Sequence, residues 1–172
     1  MVVFDYNRKP WKEVLNFIKT LRGKTLDVGC GNGDITKLVK NAVGVDISSE
    51  LLEKARKKSR NIFLKARCEK LPFEDKSFDN ALLIAVLHNL KPINRKKCLK
   101  EIYRVLRKKG RLFLSVWCKH KPGVKYIKWG KEKRYYYFFK EKELRDLLKS
   151  SGFKIKYLIK SGENYFAECV KS

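Results

Sequence analysis

The segment Leu26-Asp27-Val28-Gly29-Cys30-Gly31-Asn32-Gly33-Asp34 runs an apolar stretch into three glycines at alternate positions, and a second apolar stretch, Gly44-Val45, closes on Asp46. Glycine has no Cβ, so at positions 29, 31 and 33 the chain can turn sharply and lay its backbone against a ligand that a side chain would exclude. An acid at the end of the next strand suits the paired hydroxyls of a ribose, so the two features point to a nucleoside cofactor. A dinucleotide site wants G-x-G-x-x-G before a helix whose N-terminus faces a pyrophosphate. Here the spacing is G-x-G-x-G and the next residue is Asp34, which would repel a pyrophosphate but tolerates a cationic ligand. S-adenosylmethionine, with positive sulfonium and ammonium groups, is the expected cofactor.

These residues need elements to hold them. Pro10 suits the first turn of a helix over residues 10–21, with Trp11, Val14, Leu15, Phe17, Ile18 and Leu21 as its apolar stripe and Gly23 as its end. The periodicity then predicts a helix near 34–40, a strand at 42–46, a helix capped by Ser48 or Ser49, and a strand around Ile62 to Ala66. A further strand is expected from Phe78 to Leu83, a helix through Leu99, Ile102, Tyr103 and Leu106 ended by Gly110, and a strand from Leu112 to Trp117. A last helix at about 140–151 precedes Phe153–Ile159 and Tyr165–Val170, which must pair as a hairpin because no helix separates them. Strands alternating with helices predict an α/β fold, a mainly parallel sheet covered on both faces, with the ligand at the carboxyl ends of the strands. No linker divides the 172 residues, so a single domain is expected over 1–172, carrying a basic insertion at about 119–134.

Composition narrows the partners. The formal net charge is +24, from 42 Lys and Arg against 18 Asp and Glu, far more than solubility requires of a small domain. A polyanion, nucleic acid above all, is the expected partner. Residues 119–134 concentrate the charge: Lys119, Lys121, Lys125, Lys128, Lys131, Lys133 and Arg134 stand against Glu132 alone, with Tyr126 and Trp129 interleaved. Lysine and arginine among aromatics suit a phosphate backbone and unstacked bases, and Tyr135 to Tyr137 follow directly. The five cysteines are odd in number and lack a C-x-x-C pair, so neither a disulfide framework nor a metal cluster is expected. No apolar run reaches membrane-spanning length. A cytoplasmic, soluble protein is expected.

In order, Leu26 to Gly33, Val45-Asp46-Ile47-Ser48, Leu71-Pro72-Phe73 and Ser77-Phe78-Asp79 resemble the class I S-adenosylmethionine-dependent methyltransferases over residues 11–118. The resemblance implies a Rossmann-like, seven-stranded sheet with its last strand antiparallel. It assigns the glycine loop to the methionine part of the cofactor, Asp46 to the ribose and Arg67-Cys68-Glu69 to the adenine edge. The implied cofactor set is Asp27, Gly29, Cys30, Gly31, Gly33, Asp46, Ile47, Cys68, Glu69 and Ala85. Many family members carry Asp where this chain has Arg67, which offers no acceptor to the adenine amine.

A narrower likeness spans Arg8-Lys9-Pro10-Trp11, Ile84-Ala85-Val86-Leu87-His88, Lys133 to Phe139 and Glu163-Asn164-Tyr165, which are similar to the tRNA wobble-uridine carboxymethyl methyltransferases. That likeness implies methyl esterification of 5-carboxymethyluridine in the anticodon arm, with tRNA as partner. Lys121, Lys125, Lys128, Trp129, Lys131, Lys133, Arg134 and Tyr135 are then the RNA-binding candidates. It places His88 where the catalytic pocket opens, either orienting the uridine or packed and neutral. Arg8 becomes a clamp for the substrate carboxylate, although the family's arginine falls on Asn7 and a family histidine on Tyr137. Relatives of this branch commonly work with a small zinc-binding activator protein. The alternatives are another RNA position, a ribosomal target, or a basic RNA-binding protein that has lost catalysis.

Overall fold

The computed structural model describes residues 10–119, 121–129 and 132–172. Seven strands form one sheet in the order β3-β2-β1-β4-β5-β9-β8. They are β1 (Thr25–Val28), β2 (Ala42–Asp46), β3 (Ile62–Lys65), β4 (Phe78–Ile84), β5 (Leu106–Trp117), β8 (Phe153–Ser161) and β9 (Asn164–Lys171). Neighbours from β3 to β5 run parallel, while β9 is antiparallel to both β5 and β8. The mainly parallel sheet with an antiparallel C-terminal hairpin expected from the sequence is therefore the fold.

Side chains alternate across this sheet because successive Cβ atoms point to opposite faces. Ala81 and Leu83 of β4, with Leu112, Leu114 and Val116 of β5, pack in one core with α3 (Pro92–Val105) and α4 (Glu141–Ser150). Leu82, Ile84 and Phe113 enter a second core with Val14 and Phe17 of α1 (Lys12–Lys19), where the Phe17 and Phe113 rings stack at 4.5 Å. On that face a third, smaller cluster joins Cys30 to Leu52 and Ala55 of α2 (Ser49–Lys58) and to Phe63. Ser48 caps α2 by accepting from the Leu51 amide. Among the described residues no helix is long and apolar enough to cross a membrane.

Three expected elements differ. The helix near 34–40 is a single 3-10 turn, Thr36–Leu38, after which Val39 is already extended and leads into β2; Asn61 Nδ2 holds the end of the turn by donating to the carbonyls of Thr36 and Val39 at 2.7 and 3.2 Å. Gly110 does not end α3, which stops at Val105; Leu106 turns extended and enters β5, with Gly110 inside the strand. Finally, much of the basic insertion is ordered as a separate antiparallel hairpin, β6 (Gly123–Trp129) with β7 (Glu132–Phe138).

Candidate functional site

The glycine loop leaves the carboxyl end of β1 at the centre of the sheet. Gly29, Gly31 and Gly33 all have positive φ, at 73°, 54° and 77°, a region that side-chain-bearing residues seldom adopt. Space explains two of the three as well. A Cβ on Gly29 would lie 2.3 Å from Val86 Cγ2, and one on Gly33 would lie 2.9 Å from Ala55 Cβ and 3.2 Å from the Phe63 ring. The first glycine thus lets the loop after β4 close onto the site, and the third lets α2 and β3 pack behind it. The Gly29 and Cys30 amides both donate to the Val45 carbonyl, at 2.7 and 3.0 Å, tying the loop to β2.

Asp46 pins the loop from the other side. One of its oxygens accepts from the Gly31 amide and the other from the Ser48 amide, each at 2.9 Å. An ionised carboxylate has about four acceptor sites, so both oxygens retain lone pairs for hydroxyl donors such as those of a ribose. Ile47, next in the chain, is 61% exposed, an apolar surface against which a flat ring can pack. Below the loop, buried Asp27 accepts from the Thr36 hydroxyl at 2.6 Å; burial, reinforced by the charge of Asp46, raises its carboxyl to about 6. Two carboxylates flanking a turn of glycines favour a cation there.

Asp34 does not supply that field. It pairs with Lys58 at 2.8 Å and Lys37 at 3.0 Å, so its charge is compensated. What disfavours a pyrophosphate is instead the absence of a full helix after the loop: one 3-10 turn carries little of the N-terminal dipole such a group would use.

In the segment the resemblance assigns to adenine, Cys68 is buried, and its thiol lies 3.4 Å from a Glu69 carboxylate oxygen. Arg67 turns away from a role as acceptor and pairs with Glu69 at 3.1 Å. Burial pushes the Glu69 carboxyl up, but a backbone hydrogen bond, with Arg67 and the Cys68 thiol beside it, holds it below the usual range.

The loop after β4 is strained where it meets the site. Ala85 has φ 58°, held because its amide donates to the Ser115 carbonyl and hydroxyl and its carbonyl accepts from Asn89 Nδ2 at 2.9 Å. Such outliers persist only where surrounding contacts over-determine them and cluster at functional sites. The loop delivers His88 to the interior, fully buried against Trp117 at 4.7 Å and then Tyr136 at 6.2 Å between ring centroids. His88 Nδ1 accepts from the Trp117 amide, leaving the proton on Nε2, which has no hydrogen-bond partner among the described residues. Burial, with the nearby Arg95, lowers the imidazole from 6.5 to about 3. His88 is therefore neutral at physiological pH and has one unpaired N–H donor to offer. Because its folded value lies below its unfolded one, its contribution to stability is present above pH 6.5 and lost as pH falls towards 3. His88→Asn, which keeps an acceptor, is expected to lose less thermal stability than the wild type between pH 6.5 and 4; parallel losses would mean that the imidazole is not held neutral.

The β6–β7 hairpin covers this end of the sheet. Tyr136 stacks on Trp117 at 5.0 Å, while Tyr137 and Phe139 lie 4.0 and 5.0 Å from the guanidinium of Arg95. Buried Arg95 also donates to the Leu90 carbonyl and to the Tyr135 hydroxyl, both at 2.8 Å. Arg95 was not anticipated as a site residue, yet its spacing to Cys98, Leu99 and Ile102 put it on the apolar face of α3. Lys121, Lys125, Lys128 and Lys133 are exposed, and Arg134 and Tyr135 are half-buried. Arg8, Lys131 and the side chain of Trp129 lie outside the described residues.

A family model described as a methyltransferase domain matches residues 26–114, the stretch from β1 to β5 that carries the glycine loop and Asp46. The chain belongs to this methyltransferase family. The methyltransferase is 32% identical to the uncharacterized protein MJ1123 of Methanocaldococcus jannaschii, over 98% of this chain and 82% of that protein. It is 39% identical to the ubiquinone/menaquinone biosynthesis C-methyltransferase UbiE of Rickettsia prowazekii, over 66% of this chain and 52% of that protein. It is 34% identical to the tRNA (carboxymethyluridine(34)-5-O)-methyltransferase of Arabidopsis thaliana, over 69% of this chain and 31% of that protein. The chain thus spans between about a third and four-fifths of the length of these relatives. Among solved structures, an S-adenosylmethionine-dependent methyltransferase of Methanosarcina mazei superposes with TM-score 0.83 at 24% identity, over 95% of this chain and 99% of that one. A Haloferax volcanii putative methyltransferase in complex with the Trm112 methyltransferase activator gives TM-score 0.77 at 17% identity, over 92% and 86%.

Proposed function

We propose that this methyltransferase modifies tRNA, esterifying the carboxymethyl group of a wobble uridine. The observation that carries the reading is the basic, aromatic β6–β7 hairpin packed on the end of β5 and on the turn after β4 that carries His88. Directly opposed residues of an antiparallel pair share a face, so the register puts Tyr126 with Tyr135 and Lys128 with Lys133 on one side. Tyr126 is 64% exposed, and its ring meets that of Tyr135 edge-on at 5.9 Å. An exposed ring flanked by lysines suits an unpaired base and its phosphates, the way single-stranded loops are read. The name of the Arabidopsis relative supports the same substrate, and a net charge of +24 supports a polyanion over a small quinone.

The cofactor is S-adenosylmethionine, which supplies an activated methyl group on a positively charged sulfur. Asp46 would hold the ribose hydroxyls, the Gly29–Gly33 loop and Asp27 the cationic methionine end, and Ile47 and Cys68 the adenine. A carboxylate acceptor is already ionised at neutral pH, so this chemistry needs no general base, in keeping with a neutral, enclosed His88. The protein's work is positioning, which contributes up to about 7–11 kcal/mol when the reacting groups are well aligned. Arg8 remains the proposed clamp for the substrate carboxylate.

A small activator protein fits as partner, as in the Haloferax complex. Strand β3 is an open edge of the sheet, with Ile62 59% and Leu64 37% exposed, and an unpaired edge of this kind is a template for another chain.

Methyl transfer from labelled cofactor to carboxymethylated and unmodified anticodon stem-loops, with and without such an activator, tests the substrate. Label on both loops equally, or on neither under any condition, would end the carboxymethyluridine reading. Tyr126→Ala is expected to weaken stem-loop binding roughly 5- to 100-fold, the loss of one base–aromatic stack, with cofactor affinity unchanged. Wild-type RNA affinity in that variant would move the RNA surface off the hairpin.

A further inference from the structure

The opposite end of the sheet, at the starts of its central strands β4 and β5, carries a second basic site. A cavity of about 290 Å³ opens between the start of β4, the turn before β1 and the start of β5, lined by Arg22, Asp79, Arg107, Lys108, Lys109 and Arg111 among others. Five cations face one acid. The site comes from a break in the β4–β5 ladder: Leu106 pairs with Phe78 and Arg111 with Asn80, so four residues of β5 are looped out against Asp79 alone. The loop is tight enough that a Cβ on Gly110 would lie 2.7 Å from the Arg107 carbonyl oxygen, and Lys109 takes φ 63°. Left-handed backbone at a lysine is costly and marks a conformation its surroundings enforce.

The frame around the cavity is rigid. Buried Asn80 donates to the Arg22 carbonyl at 2.7 Å, and the Asp79 carboxylate accepts from the Lys24 amide at 2.7 Å. Arg107 is aimed by its 2.7 Å pair with Asp79, and Arg111 by Thr20 Oγ1 at 2.9 Å and Glu168 at 3.1 Å. Lys108 and Lys109 are exposed and have no ion-pair partner among the described residues. Two oriented guanidiniums with two unpaired ammoniums across a pocket are a phosphate-binding arrangement.

We infer that this cavity binds a backbone phosphate of the RNA substrate, at a point remote from the reacting nucleotide. From Asn80 to Ala85 the strand rises roughly 17 Å, so one RNA molecule reaching from the hairpin to this end of the sheet would make the second contact with a part of its body outside the modified loop. The inference rests on the RNA reading of the hairpin and deepens it.

The test is Lys108→Ser with Lys109→Asn, which removes two charges and gives position 109 a residue at ease with positive φ. Binding of an unmodified tRNA transcript and of an isolated anticodon stem-loop is measured across a salt series. For tRNA the variant is expected to bind roughly 4- to 6-fold more weakly at 0.15 M salt, with the slope of log K against log salt smaller by about 0.7–0.9, the share of one phosphate contact. Stem-loop binding and cofactor affinity should stay at wild-type values, the latter also reporting an intact fold. Wild-type tRNA affinity and slope in the variant would overturn the cavity's role while leaving the hairpin reading in place. A wild-type protein that binds neither RNA would overturn both. Vesicles of phosphatidylcholine with phosphatidylserine that capture the wild type but not the variant, with tRNA affinity equal between them, would assign the cavity to lipid and likewise overturn it.

Discussion

Asp46→Ala is expected to lower S-adenosylmethionine affinity at least 100-fold. A hydroxyl donating to a carboxylate contributes about 1.5–3 kcal/mol, and two such bonds from a ribose amount to roughly two or more decades. The substitution also strips the acceptors from the Gly31 and Ser48 amides, each at 2.9 Å in the wild type, so part of the loss comes from a loosened glycine loop. Asp46→Asn separates the two contributions. It retains one carbonyl oxygen, so it should recover some loop order, seen as thermal stability of the free protein, while restoring less of the affinity. Calorimetric titration decides the matter, and an unchanged dissociation constant in Asp46→Ala would remove the ribose site from β2.

How much of this site is legible in the sequence depends on whether the determinant is local. The three glycines have positive φ, and a strand ending in Asp46 holds the Gly31 amide beside them; both features are written in short runs of consecutive residues. The alternation of Leu82 and Leu83, or of Leu112 and Phe113, likewise gives the strands and their two faces. The helix expected at 34–40 gives way to one turn because the chain is already extended at Val39, and the turn's end is held by Asn61, a contact across 22 and 25 residues that periodicity does not show. Gly110 misled for a similar reason: a glycine after an apolar helical stripe normally ends it, whereas here Leu106 is already drawn into pairing with Phe78. The role of Asp34 was misjudged because Lys58, 24 residues on, is placed against it only by packing of α2. Of the two readings of His88, the packed, neutral one is what the structure shows; the sequence left both open because the burial depends on Tyr136 arriving from a hairpin that periodicity alone did not separate from a basic loop.

Asp27 offers the sharpest conflict between stability and function. Its carboxyl is raised from 3.8 to about 6, chiefly by burial. A carboxyl whose folded value exceeds its unfolded one favours the fold while protonated; that contribution is present below about pH 4 and lost as pH rises to about 6. Above pH 6 the folded protein therefore holds an ionised group at a cost on the order of 3 kcal/mol. Over the same acidic range His88, lowered from 6.5 to about 3, acts in the opposite sense. Asp27→Asn keeps an oxygen for the Thr36 hydroxyl and removes the buried charge. The free variant should be more stable than the wild type at pH 8, by up to roughly 6–12 °C in melting temperature at this chain length, and the advantage should shrink towards pH 4. The same variant should bind S-adenosylmethionine more weakly, because a buried carboxylate beside the glycine loop is repaid only when a cation lies against it. Wild-type affinity should accordingly fall on acidification through pH 6, and that of the variant should not. A variant that melts below the wild type at pH 8 would show that the carboxylate is needed by the fold itself, and equal cofactor affinity at pH 8 would take Asp27 out of the cationic end of the site.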